Sequence, residues 1–257
     1  MKLKNLFTAI AVAALPLSGA LTSCSDMLES DSSLFVSDPN INHKSDSVFY
    51  AYGIMQAMQQ LADQYYFQNE MRGEISVPTA KATTHLRNLA NFEAGAENKY
   101  DSVYLYYKVI NNCNTYLQKR DTTLMSGTTN VTINEYVAIA AFRAWTYLQL
   151  TKQYGDVPYL TTPVLTVSEI NAKTEHTPYR TILADQALYL QKLKDSYSDE
   201  FLRVPYYQAN VNIGHLNFSN SLTKVMSPSK CFFPINIVLG DLYLELGEYE
   251  KAAECYH

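Results

Sequence analysis

Tryptophan is nearly absent: Trp145 stands alone against 21 tyrosines and 10 phenylalanines. A platform of stacked tryptophans for a sugar is therefore not available in this chain. Basic residues number 20 against 25 acids and form no cluster, which excludes the cationic footprint of a nucleic-acid partner. Cysteine is scarce too, and Cys24, Cys113, Cys231 and Cys255 have no metal-ligand spacing. The five histidines lie far apart, so no His-x-x-x-His pair can seat zinc. Neither a Gly-x-Ser-x-Gly elbow nor a phosphate-binding loop occurs, and no Asp-x-Asp-x-Asp-Gly calcium loop does. No metal and no cofactor is expected, and the chain does not read as an enzyme. Paired carboxylates for glycoside hydrolysis lack any motif, although so many acids always allow some pair.

The hydrophobic runs are short, and the first of them sets the compartment. Lys2 and Lys4 precede an uncharged apolar segment from Leu6 to Leu17, too short to cross a bilayer and built like a secretory signal. It ends in Leu21-Thr22-Ser23-Cys24, the form of a bacterial lipobox, which makes residues 1–23 a signal peptide and Cys24 the acylated residue. Removing Lys2 and Lys4 takes the net charge from −5 to −7, so the lipid and not charge holds the protein at a membrane. Residues 24–44 are rich in Ser and Asp without periodicity and read as a tether. Residues 45–257 form the folded part, and Cys113, Cys231 and Cys255 read as buried thiols, a Cys231–Cys255 bridge being left open.

The rest is patterned for helices. The periodicity predicts one over Asp46–Tyr65 and a second over Asp101–Gln118, separated by an irregular stretch from Tyr66 to Tyr100. The fullest set of signals lies over Thr132–Pro163. Thr132 and Glu135 have capping-box spacing, and from Tyr136 to Tyr154 the chain is apolar on nearly every side, as a buried helix must be. Gly155 is placed to end it in the left-handed conformation, with Pro158 beyond and Asp156 as a local cap. Arg143 and Trp145 fall mid-helix and are assigned to the core. Thr177-Pro178 starts a fourth helix running to Tyr197, after a polar extended stretch. Ser227-Pro228 starts a fifth to Leu246, and Tyr249 a sixth after Gly247.

The last pair resembles a tetratricopeptide repeat: Leu239-Gly240, Tyr243, Ala252 and Tyr256 occupy its positions, with Asn236 where the repeat has tryptophan. The repeat's closing proline would fall beyond His257, so the sequence reads as the N-terminal part of a longer protein. Ala141-Phe142-Arg143-Ala144, Tyr147, Leu150, Tyr154-Gly155-Asp156-Val157-Pro158-Tyr159 and Pro163 resemble the signature helix and turn of SusD/RagB-type proteins. Those are Bacteroidetes surface lipoproteins that capture glycans or other nutrients for a SusC-type TonB-dependent outer-membrane transporter. Asp26, Glu29 and Asp31 after Cys24 likewise resemble the acidic surface-export signals of such lipoproteins.

The resemblance implies an all-α fold of tetratricopeptide-like helical pairs with long irregular loops, anchored by lipid to the outer membrane and exposed at the cell surface. It implies an oligosaccharide or other nutrient as ligand, the transporter as partner, and no turnover. It places part of the ligand site in N-terminal loops, where Arg72, Glu74, Arg87, Asn91, Phe92, Asn98 and Tyr100 supply aromatic, guanidinium, amide and carboxylate groups. Asn114, also family-like, reads as a buried amide bonded to neighbouring backbone. The alternative from the repeat pattern alone is a tetratricopeptide-type scaffold for protein partners at the outer membrane.

Overall fold

A computed structural model describes residues 44–73, 75–203 and 232–257. The signal peptide, Cys24, nearly all of the tether, Glu74, the Ser227-Pro228 start signal and Cys231 lie outside those residues. Helix α1 spans Lys44–Glu70, α2 Thr84–Ala90, α3 Val103–Lys119 and α4 Ile133–Tyr154. After them come α5 (Val167–Asn171), α6 (Tyr179–Ser196), α7 (Asp199–Leu202), α8 (Ile235–Leu246) and α9 (Tyr249–Tyr256). Among the described residues strands are confined to two-residue pairs. Met125–Ser126 (β1) lies antiparallel to Thr129–Asn130 (β2), and Val157–Pro158 (β3) to His176–Thr177 (β4). The fold is all-α, as its periodicity requires.

Helix α4 is buried along almost its whole length and divides the core in two. One face, through Ile139, Phe142, Tyr147 and Leu150, packs with Ile54 and Leu61 of α1 and with Tyr106, Ile110 and Tyr116 of α3. The opposite face, through Val137, Ala140, Ala144 and Leu148, meets Leu183 and Leu190 of α6 and Val238, Leu239 and Leu242 of α8. Consecutive long helices therefore stack as an array with α4 in the middle. Trp145 fills the seam, edge-on to Tyr65 at 5.0 Å and tilted against Phe233 at 4.8 Å.

The final pair, α8 and α9, shows why a repeat-like sequence carries glycine there. A Cβ on Gly240 would stand 2.5 Å from the ring of Tyr256, whose hydroxyl donates to Asp241 at 2.6 Å. Gly247 takes φ 81°, ψ 15°, the left-handed conformation that closes α8. Helix α8 begins at Ile235 after Pro234 and not at Ser227-Pro228, because residues 232–234 are non-helical.

Several local expectations are corrected. Thr132 does not cap α4; the Oδ1 of Asn130, fixed at the end of β2, accepts from the backbone N–H of Thr132 at 2.9 Å and of Ile133 at 3.0 Å. Glu135 cannot close a capping box because it is drawn inward. It accepts from the buried hydroxyl of Tyr116 and lies 3.9 Å from Arg120 Nε. A complete capping box does exist at Thr166 and Glu169, in the stretch read as extended. Gly155 has φ 72° but ψ −128°, a region open to glycine though not the left-handed helical one. Asp156 is a cap, but for α6: its carboxylate accepts from the backbone N–H of Tyr179 at 2.9 Å, across the β3–β4 pairing. Helix α1 runs past Tyr65 to Glu70, and α2 stands within the stretch read as irregular.

Among the described residues Cys113 and Cys255 are free, buried thiols, and Cys231 lies outside them. Burial pushes the Cys113 thiol up from 9.0 to about 12. Its folded value lies above the unfolded one, so its contribution to stability is complete below pH 9 and drains away as pH rises toward 12. Cys113 is expected to resist iodoacetamide at about pH 8.5 until denaturant unfolds the chain, since only a thiolate reacts; rapid native labelling would contradict its placement. Asn130→Ala is expected to cost about 1 kcal/mol in urea unfolding through loss of the α4 cap, and more than Thr132→Ala does.

Candidate ligand-binding site

The C-terminal end of α1, the loop after α2, the entry to α3 and the end of α4 converge on one corner of the molecule. Polar side chains bolt it together. Gln68, 1% exposed, donates to Asp101 Oδ1 at 2.9 Å and to Tyr154 Oη at 3.0 Å, and accepts from the Tyr106 hydroxyl at 2.8 Å. The Tyr154 hydroxyl donates in turn to Asp101 at 2.8 Å. Burial first, and the adjoining Asp101 carboxylate with it, drive the Tyr106 and Tyr154 phenols well above their usual range, so both stay protonated donors. Gln64 closes the base, donating to the carbonyl of Ser102 at 3.1 Å and accepting its N–H at 2.9 Å.

Arg72 lies over this network. Its Nη1 donates to Gln153 Oε1 at 2.9 Å, and Nη2 is 3.9 Å from Asp101 Oδ2. Its guanidinium faces the ring of Phe92 at 5.8 Å. Phe92 is 72% exposed and holds φ 60°, a left-handed backbone that disfavours a bulky side chain. That backbone closes α2, since the N–H groups of Phe92 and Glu93 donate to the carbonyls of Leu89 and Asn88 at 3.2 and 2.7 Å. The turn calls for glycine, and an exposed aromatic ring there is the feature that packing does not explain. Nearby, Tyr100 packs on Phe67 at 4.7 Å, and Phe67 meets the half-exposed Tyr66 at 5.5 Å. Lys99 lies 5.2 Å over Tyr100. Aromatic faces flanked by a fixed guanidinium and amides can hold a flat, hydroxyl-rich ligand by C–H contact and hydrogen bonding.

Of the residues nominated from sequence, Arg72, Phe92 and Tyr100 are brought to this corner. Arg87 instead donates from Nε to the carbonyl of Ala82 at 3.0 Å, closing the turn before α2. Asn91 is the C-cap of α2 and is exposed beside Phe92. Asn98 is 7% exposed and turned into the loop: its Nδ2 donates to the His85 carbonyl at 2.9 Å, and its Oδ1 accepts from Tyr100 N–H at 3.0 Å. It shapes the loop from a buried position. Tyr66, Phe67 and Gln153 were missed. Tyr66-Phe67 beside a run of amides at a helix end was the available signal, but the predicted helix stopped one residue short of it.

The described residues hold no cluster of His, Cys, Asp or Glu fit for a metal ion, and no helix among them is long and apolar enough to cross a membrane. No family model matches the chain, and no curated protein does. Solved structures do. A laminarin binding SusD-like protein superposes with a TM-score of 0.57 at 15% identity, over 83% of this chain and 42% of its own. The fold is SusD-like. A SusD superfamily protein from Bacteroides thetaiotaomicron gives 0.57 at 15% identity, over 84% of this chain and 47% of that one. A SusD-like carbohydrate binding protein from Bacteroides fragilis gives 0.55 at 15% identity, over 84% and 40%. The chain thus spans less than half the length of each of these SusD-like structures.

Replacing Phe92 by glycine separates the two roles of this corner. Phe92→Gly is expected to raise stability by about 1 kcal/mol in urea unfolding, because it removes the strain of a bulky residue at positive φ. A loss of stability would mean that the ring is there for packing.

Proposed function

We propose that the protein is a non-catalytic surface lipoprotein that captures a glycan. Cys24 carries its lipid anchor in the outer membrane, and it hands the ligand to a SusC-type TonB-dependent transporter. The observation that carries the reading is Phe92, exposed on strained backbone and faced by an Arg72 that Gln153 and Asp101 hold in place. Preorganised groups of this kind lower the ordering cost of binding a weakly held, hydrated ligand. The SusD-like fold supports the reading, since solved proteins that share it are described as laminarin binding and carbohydrate binding. Fold alone does not fix function, so the assignment rests on the site. Its contact residues are Arg72, Phe92 and Tyr100, with Tyr66 beside them.

A second reading, a tetratricopeptide-type scaffold, draws on the exposed apolar residues of the last pair, Ile237, Leu244 and Tyr249.

Isothermal titration against a panel of oligosaccharides, with product analysis of the same mixtures, decides between them. Glycan capture predicts binding in the micromolar-to-millimolar range, unchanged sugars afterwards, and at least a tenfold loss in Phe92→Ala, about the worth of one aromatic contact. A scaffold would bind no sugar, and a hydrolase would release products. Labelled palmitate is expected to enter the protein through Cys24 and to vanish in Cys24→Ala.

A further inference from the structure

A second site is built from other residues. Between α3, α4, α6 and the segment after α4 lies a cavity of about 440 Å³, within the roughly 300–1,000 Å³ of small-molecule sites. Arg143 lines it. This arginine comes from the interior of α4 and is 6% exposed. Its Nη1 donates to Asn114 Oδ1 at 3.1 Å, and the guanidinium faces the Tyr189 ring at 4.7 Å. Its Nε is buried and finds no acceptor among the described residues. No described carboxylate forms an ion pair with it either.

Such a charge is expensive. A buried cation is ordinarily matched by an anion, and Arg120 in this same protein has Glu135 beside it. At Arg143 the matching groups are an amide and an aromatic face, both neutral. The one acid on the cavity wall, Asp185, accepts from the Tyr159 hydroxyl. Lys192, exposed, adds a second positive charge to the lining. A cavity with a fixed guanidinium, a free lysine and an under-matched buried charge is complementary to a small carboxylate, which a guanidinium binds in bidentate fashion.

We infer that this cavity is a subsite for a carboxylate-bearing ligand the size of one sugar acid, with Arg143 binding the carboxylate and Lys192 assisting. Its chemistry would suit equally a uronate unit of a polysaccharide or a free organic acid. It does not depend on the Phe92 platform and can hold or fail separately from it.

The test is calorimetric titration of the purified chain with glucuronate, acetate, an oligogalacturonate and, as the neutral control, glucose. Glucuronate is expected to bind at least tenfold more tightly than glucose, with affinity falling as sodium chloride is raised. Arg143→Gln should remove that preference. Because Arg143 is buried and its replacement can unfold the helix array, Leu188→Trp is the second variant. Leu188 lines the cavity, is 52% exposed, and can take a larger ring that fills the space without touching the core. It should lose carboxylate binding while keeping its melting temperature and its response to neutral oligosaccharides. Tighter binding of the oligogalacturonate than of glucuronate identifies a polysaccharide source, and equal affinity for both identifies free acids. The inference is overturned when neither glucuronate nor acetate binds more tightly than glucose, or when Leu188→Trp leaves their affinity unchanged.

Discussion

Burial of α4 on both faces is the constraint from which most of this structure follows. A helix shared by two cores has little solvent side on which to place polar residues, so most of them are met by partners within the protein. Thr146 and Thr151 return their hydroxyls to the carbonyls of Phe142 and Leu148, at 2.7 and 3.1 Å. Glu135 reaches Tyr116 and Arg120, and Arg143 reaches Asn114. Every one of these partners beyond the helix lies on α3 or at its end. The α3–α4 pairing is therefore fixed by polar matching as well as by apolar contact, and it resists sliding because a one-turn shift would strand several buried groups together.

The same logic fastens the segment after α4. Residues 158–165 have no helix of their own and lie along α3. Tyr107, Asn111 and Asn114 recur at four- and three-residue steps on one face of that helix. They bond the carbonyls of Pro158, Val164 and Leu160 in turn, and Asn111 also accepts the Val164 N–H at 2.7 Å. From α4, the Tyr147 hydroxyl both donates to the Leu160 carbonyl and accepts its N–H, each at 2.8 Å. An extended strand is thus held by side chains where a sheet would use backbone. The wall of the Arg143 cavity, which includes Thr161 and Thr162, is rigid for that reason.

Local sequence chemistry made the long helices legible, and with them the burial of α4, the helix end at Gly247, and the places of Arg143 and Asn114 inside. Those features depend on periodicity or on residues a few positions apart. What could not be read were choices between partners distant in sequence. Thr132 and Glu135 satisfied the capping-box rule, yet Glu135 had a better partner in Tyr116, nineteen residues earlier, and Asn130 took the cap. Asp156 was rightly placed as a cap, but its helix begins twenty-three residues later. At the candidate site, sequence named Arg72, Phe92 and Tyr100 together with Arg87 and Asn98. Nothing local distinguished an amide free for a ligand from one consumed by the His85 carbonyl.

The corner around Phe92 is also tied to that central helix, and this bears on how the proposed binding surface is kept stiff at a helix end. Helix ends fray because their terminal backbone groups lack partners. Here the last turn of α4 supplies Gln153 to Arg72 and Tyr154 to Gln68 and Asp101, so the turn is clamped by side chains. Fraying of α4 would release Arg72 from Gln153 and loosen the support under Phe92. The buried stretch that precedes it, from Ala138 to Leu150, opposes that fraying because unwinding it would expose both cores at once. Rigidity at this corner is then a consequence of burial at the centre, carried along one helix to Arg72, Phe92 and Tyr100, the proposed contact residues.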